Sequence, residues 1–382
     1  MNTDVVCFSH LRWNFVFQRP NHLMTRCARK HRVYFVEEPL VEAGTPQLRF
    51  ETVAPNLVRV VPVHPRDAEM SQLDIGARLL DELSTSGCKP VHWFYTPMML
   101  GIAECLPCSI TVYDCMDELA NFLHAPPQLR GLEQALIAKA DLMFTGGRAL
   151  YEAKREQHSN LHALPSAVDF DFFARARQHH EPPADQRQIS APRIGYCGVI
   201  DERVDLGLLD YLATRRPQWQ FVMLGPVAKI DLASLPRHPN IHYLGAKSYD
   251  ELPVYLSGWD VALLPFALND ATRYISPTKT PEYLAAGRPV VSTAIRDVVE
   301  PYERLGLVRV ARSYDEFERA LEAALAGVRL SSDRERDDFL RSTSWDATWC
   351  SMERLMRTSL STRMTDPPRA DVSQAQLKGT YV

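Results

Sequence analysis

SPTKTPEYLAAGRPVVST, residues Ser276 to Thr293, reads as a loop, a short helix, a glycine stop and a buried strand. Pro277 and Pro281 suit a loop and a first helical turn, because proline has no N–H to give and the first turn needs none. Glu282 then lies in that first turn, and Tyr283, Leu284 and Ala285 continue the helix. Gly287 supplies a left-handed C-cap, and Pro289 followed by Val290 and Val291 opens a strand. The free N–H groups and dipole of such a helix start, with Lys279 and Thr280 beside it, suit an anionic ligand. A carboxylate there, Glu282, suits a sugar hydroxyl. The plain alternative is a βαβ turn that binds nothing.

Outward from this stretch the pattern repeats. Strands are expected at Val5–Ser9, Val33–Glu37, Leu57–Val63, Val91–Tyr95, Ile110–Asp114 and Leu142–Thr145, with helices at His22–Lys30, Ile75–Leu83 and Leu132–Ala140. A second series of strands runs through Arg193–Cys197, Gln220–Leu224, Ile241–Leu244, Val261–Pro265, Pro289–Ser292 and Leu307–Val310. Short apolar strands alternating with amphipathic helices predict an α/β protein with parallel sheets covered on both faces, a Rossmann-like unit in each half. Arg175 to Ala191, polar and proline-containing, reads as the linker between them. The expected domains are therefore 1–174 and 192–343, joined by 175–191. Ser344 caps a helix over 344–359, and 360–382 reads as a disordered tail.

Ligands of such sheets bind beyond the carboxyl ends of the strands. The loop after the first strand, Ser9 to Leu23, carries His10, Arg12, Trp13, Gln18, Arg19 and His22, dense in donors and aromatics where a plain loop is rich in Gly, Ser and Asp. Arg19 could meet a phosphate and Trp13 stack on a sugar; alternatively Arg19 pairs with Glu37 or Glu38 and Trp13 is core. In Tyr113-Asp114-Cys115-Met116-Asp117, Asp114 and Asp117 could accept from sugar hydroxyls, or Asp117 simply caps a helix. Gly198 ends the first strand of the second half and allows close backbone approach to phosphate. Arg203 follows as a diphosphate ligand, or as the partner of Asp201 or Asp205.

Lys279, Glu282, Tyr283 to Gly287 and Pro289 to Val291 resemble the nucleotide-sugar segment of retaining glycosyltransferases of the GT-B fold, group 1 or family 4-like. The resemblance implies two Rossmann-like domains facing across a cleft, a last helix crossing back to the first domain, and Glu282 on the nucleotide ribose. A first glutamate of that family motif is replaced here by Tyr274. Asn269, Thr272, Pro277, Lys279 and Glu282 match the Asn-x-x-Thr and Pro-x-Lys-x-x-Glu of a teichuronic-acid type branch, and Trp13, Gln18, Arg19 and Pro20 resemble its W-x-x-x-x-Q-R-P segment. Leu164 to Phe173 resembles the N-G-V-D-x-x-x-F signature, with Ser166 and Ala167 for Asn-Gly. By this resemblance Lys279 and Arg203 offset the departing diphosphate without a metal, while Asn269, Thr272, Arg19 and Asp114 orient sugar or acceptor.

The chain of 382 residues is 46% hydrophobic and 24% charged, with a formal charge of −4. It is long enough for two cores, and its charge gives no global pull toward nucleic acid or anionic lipid. No apolar run reaches the eighteen or so residues of a membrane helix, and the N-terminus has no signal-like region. A cytoplasmic protein is expected, with Arg26, Arg29, Lys30, His31 and Arg32 either touching the inner membrane face or complementing a helix dipole. Cys7, Cys27, Cys115 and Cys197 suit reduced buried thiols; Cys105 and Cys108, with Cys88 and Cys115 nearby, lack the spacing of a zinc site. The expected function is transfer of a sugar from a nucleoside diphosphate sugar to a glycan or lipid-linked acceptor in cell-envelope or exopolysaccharide synthesis, with no cofactor beyond the donor. The alternatives are a catalytically weak nucleotide-sugar-binding protein and a sugar-nucleotide epimerase.

Overall fold

The computed structural model describes residues 3–83 and 89–365. Nine strands form the first sheet: β1 (Val5–Ser9), β2 (Val33–Glu37), β3 (Leu40–Val41), β4 (Gln47–Ala54), β5 (Leu57–His64), β6 (Val91–Phe94), β7 (Thr111–Cys115), β8 (Leu142–Thr145) and β9 (Leu161–Ala163). Their order is β3-β5-β2-β1-β6-β7-β8-β9, with β4 antiparallel on the outer side of β5 and the rest parallel. The second sheet holds β10 (Arg193–Cys197), β11 (Gln220–Leu224), β12 (Ile241–Gly245), β13 (Val261–Leu264), β14 (Val290–Thr293) and β15 (Arg309–Ala311). It runs β12-β11-β10-β13-β14-β15, all parallel. β1 and β2 are buried at every residue, as strands covered on both faces must be.

The two sheets share one consequence of topology. From β1 the chain builds outward to β2 and later returns on the other side as β6; β10 stands in the same relation to β11 and β13. Each reversal of strand order leaves a crevice between diverging loops at the carboxyl ends. These loops are Ser9–Gln18 and Tyr95–Thr96 in the first domain, and 198–205 and 265–278 in the second.

Two segments differ from the sequence reading. The linker is docked rather than loose: Gln186 is fully buried, donating to the Tyr255 carbonyl at 3.0 Å and accepting from Trp259 Nε1 at 3.0 Å. Asp185 accepts from Tyr255 Oη and Lys247. A polar stretch can be core when its amides are satisfied. The last helix spans Trp345–Thr365, so residues 360–365 belong to it; the rest of the expected tail lies outside the described residues, as does Cys88.

That helix crosses back to the first domain. Trp345, Trp349, Met352 and Met356 are buried in one apolar cluster with Cys7, Leu23, Trp93 and Phe144. Its acidic face also answers the basic run. Asp346 takes Arg26 at 2.9 Å and Arg29 at 2.6 Å, Glu353 takes Lys30 at 3.0 Å, and Arg32 goes to Asp4 at 2.9 Å. The run is therefore a neutralised seam between elements and not the free cationic patch that membrane contact needs. Among the described residues no helix is long and apolar enough to cross a membrane. Cys7, Cys27, Cys115 and Cys197 are buried free thiols, and Cys105 and Cys108 are half-buried.

Candidate active site

The helix Lys279–Ala285 follows the long loop after β13, and Gly287 at φ +75° turns the chain into β14. Tyr283 fixes this helix against the end of β10: its hydroxyl accepts from the Cys197 N–H at 2.7 Å and donates to the Cys197 carbonyl at 3.2 Å. The sequence places Tyr283 in this helix and in the family-like segment but does not show this anchoring role. A fully buried tyrosine has to place its hydroxyl somewhere, and that was the available signal. One turn earlier, Lys279 Nζ lies 2.6 Å from Glu282 Oε2, with both side chains largely out of water. Burial lowers the Lys279 pKa, but Glu282 outweighs it and holds the ammonium charged; burial pushes the Glu282 carboxyl up against the pull of Lys279. Thr280 is fully buried, and its Oγ1 has no hydrogen-bond partner among the described residues. Such a hydroxyl is costly unless a ligand satisfies it.

Beside this pair the loops after β10 and β11 approach backbone to backbone. A Cβ on Gly225, at φ +139°, would lie 1.9 Å from the Gly198 carbonyl oxygen. Gly198 itself is required by a neighbouring side chain, since its Cβ would meet Tyr196 Oη at 2.7 Å. Arg203 is bound to Asp201 through Nε and Nη2 at 2.7–3.1 Å, so the ion pair, and not a free phosphate ligand, is what the structure shows. Its guanidinium lies 5.5 Å from the centre of Phe122, and Lys229 Nζ lies 5.0 Å from the same ring.

Phe122 belongs to the first domain, on the loop after β7, which reaches across the cleft. Asn121 Nδ2 donates to the Asp270 carbonyl at 3.1 Å, and the Leu123 N–H donates to Glu202 Oε1 at 3.1 Å. On the same loop Asp117 is half-buried, and its carboxyl is raised to about 6 by burial, against the pull of Arg203, Arg19 and Lys229 and with the push of Asp201. His10, after β1, is lowered to about 4 by burial and by Lys229, and its Nδ1 is buried without a partner among the described residues. Groups from both crevices thus converge here.

Several expected site residues have other employment. Arg19 and Asp114 form a buried pair, with Nε and Nη2 on the carboxylate at 2.9–3.1 Å and Nη1 on the Leu164 carbonyl at 2.8 Å. At 1% and 0% exposure the two satisfy each other in the interior of the first domain. Arg19 does not pair with Glu37, which instead takes Arg12, Arg59 and the Trp13 N–H. Trp13 packs edge-on against Phe35, and Gln18 and Asn21 cap the helix Arg19–Cys27. Asn269 and Thr272 close a turn on each other: the Asn269 N–H donates to Thr272 Oγ1 at 3.0 Å and the Thr272 N–H to Asn269 Oδ1 at 3.1 Å. Thr272 Oγ1 also donates to the Ala267 carbonyl, so it shapes the loop and has no hydroxyl proton left for a sugar. Tyr274 packs on the apolar cluster of the first domain. Among the described residues no three His, Cys, Asp or Glu side chains are grouped to hold a metal ion.

Besides the loop of Phe122, the cleft is drawn shut at further places. Asp297 of the second domain accepts from the Arg148 and Ala149 N–H groups at 2.8 and 2.9 Å, the start of a first-domain helix. Tyr249 lies against Phe17 at 4.4 Å and Phe172 at 4.6 Å, and His22 stacks on Trp345 at 4.6 Å.

Residues 191–326 match the family of glycosyl transferases group 1. A Bacillus subtilis (strain 168) protein named "Putative teichuronic acid biosynthesis glycosyltransferase TuaH" is 25% identical over 238 residues, 56% of this chain and 59% of that protein. The match thus spans less than two thirds of the relative's length. The sucrose-phosphate synthase of Thermosynechococcus elongatus superposes with a TM-score of 0.71 over 94% of this chain and 100% of that one, at 13% identity. An Escherichia coli structure titled for trehalose-6-phosphate and bound with UDP-2-fluoro glucose gives 0.68, over 96% of this chain and 100% of its own, also at 13% identity. The chain has the GT-B fold of two facing α/β domains, and within it residues 191–326 are similar to the glycosyl transferases group 1 family.

Proposed function

We propose that the protein transfers a sugar from a nucleoside diphosphate sugar to a glycan or lipid-linked acceptor in cell-envelope polysaccharide synthesis, with retention and without a metal. The observation that carries this reading is the buried Lys279–Glu282 pair at the carboxyl end of the second sheet, inside the matched family segment. Lys279 holds Glu282 Oε2, which leaves Oε1 to accept from ribose hydroxyls. The unsatisfied Thr280 hydroxyl lies in the same first helical turn.

Charge develops on the phosphate oxygen as the glycosidic bond breaks, and preorganised cations around it lower the barrier. In a retaining transfer on one face, the bond from the anomeric carbon to the phosphate oxygen breaks, the acceptor oxygen bonds that carbon from the same side, and the departing phosphate oxygen takes the acceptor's proton. No separate general base is then needed. Asp117, on the opposite wall with a carboxyl near 6, is suited to holding the acceptor hydroxyl in line. A closed cleft keeps water from replacing the acceptor.

The test is thermal unfolding with UDP, GDP, ADP, CMP and dTDP, each with Mg²⁺ and with EDTA, on the native chain and on Glu282→Ala. A ligand at about a hundred times its Kd adds about 2.7 kcal/mol. One nucleoside diphosphate should stabilise the native chain equally in both media and leave the variant unmoved. UDP is the first to try, given the UDP sugar bound in one structure of the same fold. If no nucleotide shifts the transition, the reading is withdrawn.

A further inference from the structure

Lys279 and Arg203, the cations expected to meet the diphosphate, are already neutralised, and so is a third cation of the neighbouring loop. Arg203 is bidentate on Asp201, Lys279 is on Glu282, and Arg273 on the loop after β13 is on Asp270 at 2.8 Å. Each pair carries no net charge, so at short range it offers a diphosphate little uncompensated attraction. Lys229, on the adjoining loop after β11, is different. Among the described residues it makes no ion pair, and its ammonium rests on the face of Phe122 with Asp117 acting on it only at longer range.

Its backbone makes the placement specific. Lys229 has φ +62°, a left-handed conformation that residues with a side chain rarely hold. The loop is fixed against the Gly198 loop, with Ile200 bridged to Val227 and the Ala228 N–H donating to the Ile200 carbonyl at 3.1 Å. A strained residue on a fixed loop holds its side chain in a direction that local preference alone would not choose. Here that direction is toward the cleft, where Phe122 sits between Lys229 and Arg203.

We propose that Lys229 is the cation that supplies the uncompensated positive charge for the donor diphosphate, reaching it beside the Phe122 ring. The proposal rests on the donor-site reading above. It assigns the nucleoside to Glu282 and the diphosphate charge to Lys229, with the Arg203–Asp201 pair as its neutral neighbour. Because Lys229 is exposed, its removal leaves the fold intact.

The experiment measures binding of the stabilising nucleoside diphosphate, of its monophosphate and of the bare nucleoside, on the native chain, Lys229→Gln and Lys229→Arg. Lys229→Gln should lose ~10- to 100-fold for the diphosphate, the worth of one charged hydrogen bond. It should keep native affinity for the nucleoside, and Lys229→Arg should recover most of the loss. The native diphosphate affinity should also fall with salt more steeply than that of Lys229→Gln. Equal diphosphate binding by Lys229→Gln and the native chain overturns the proposal and leaves the donor site standing. A loss shared by the nucleoside overturns it too, by making Lys229 a structural residue. Failure of the native chain to bind any nucleoside diphosphate removes the donor site itself.

Discussion

Glu282 and Lys279 depend on each other for their place in the interior. Removing one partner of a buried pair leaves an uncompensated charge, at a typical cost of about 3–5 kcal/mol, whereas replacing both by apolar groups is often near neutral. Lys279→Met and Glu282→Leu should each lower stability in urea, and the double variant should be more stable than either single one. Additive losses would show that the pair is not coupled. Asp117 acts with the opposite sign. Its carboxyl is raised from 3.8 to about 6, so the folded state binds the proton more tightly than the unfolded chain. That stability is fully present below about pH 4 and is lost as pH rises to about 6. Asp117→Asn should therefore be more stable than the native chain at pH 7–8, by about 1–3 kcal/mol, with the difference vanishing at pH 4. Melting curves across that range decide it; no gain at pH 8 means the carboxylate is not held out of water. Both residues stand in the sequence within readable motifs, and Lys279 and Glu282, three apart, were legible as neighbours. Arg19 was not, because its partner Asp114 lies 95 positions away and only the fold brings them together. Asn269 and Thr272 could have been read as a self-closing turn, since both donate and accept over three residues.

Whole elements were more legible than their employment. β1, β2 and β8 lie where the apolar runs end, since strands buried on both faces have no polar alternation to blur their limits. β4 went unread because it is an edge strand with mostly exposed charged and polar residues, and its pairing to β5 carries it rather than any core of its own. The last helix was legible in place, and its crossing only through the family resemblance; its pairing with the basic run depends on Asp346 and Glu353 facing a helix more than three hundred residues earlier. Its hold is mainly apolar. Trp345 is 1% exposed and stacked on His22, so Trp345→Ala should cost about 3–5 kcal/mol, read as a fall in the melting temperature. Asp346→Ala removes half-exposed contacts and should cost about 1 kcal/mol or less, more at low salt than at high. Equal losses from the two changes would mean that charge rather than packing seats the helix.

At the scale of the molecule, two parallel sheets followed from the alternation of strand and helix and the returning helix from the family resemblance, but the points where the halves touch followed from neither. Gly147 is one of them: a Cβ there would lie 2.4 Å from Asp297 Oδ2 and 2.9 Å from Ser276 Cβ, both across the cleft. Gly147→Ala should push the domains apart, which small-angle scattering would record as a larger radius of gyration and which should lower turnover more than stability. An unchanged radius would mean that the contact yields locally. The returning helix has a further consequence for how the protein is made. The apolar cluster beneath β1 and β6 includes Trp345, Trp349, Met352 and Met356, so residues from the far end of the chain complete a core begun by the first few. Domains generally fold in order as the ribosome delivers them, at about 5–20 residues per second. Here the first half emerges with its interior unsealed and waits tens of seconds for the last helix, a span in which a chaperone would hold it and a nonsense codon near the end would undo the beginning.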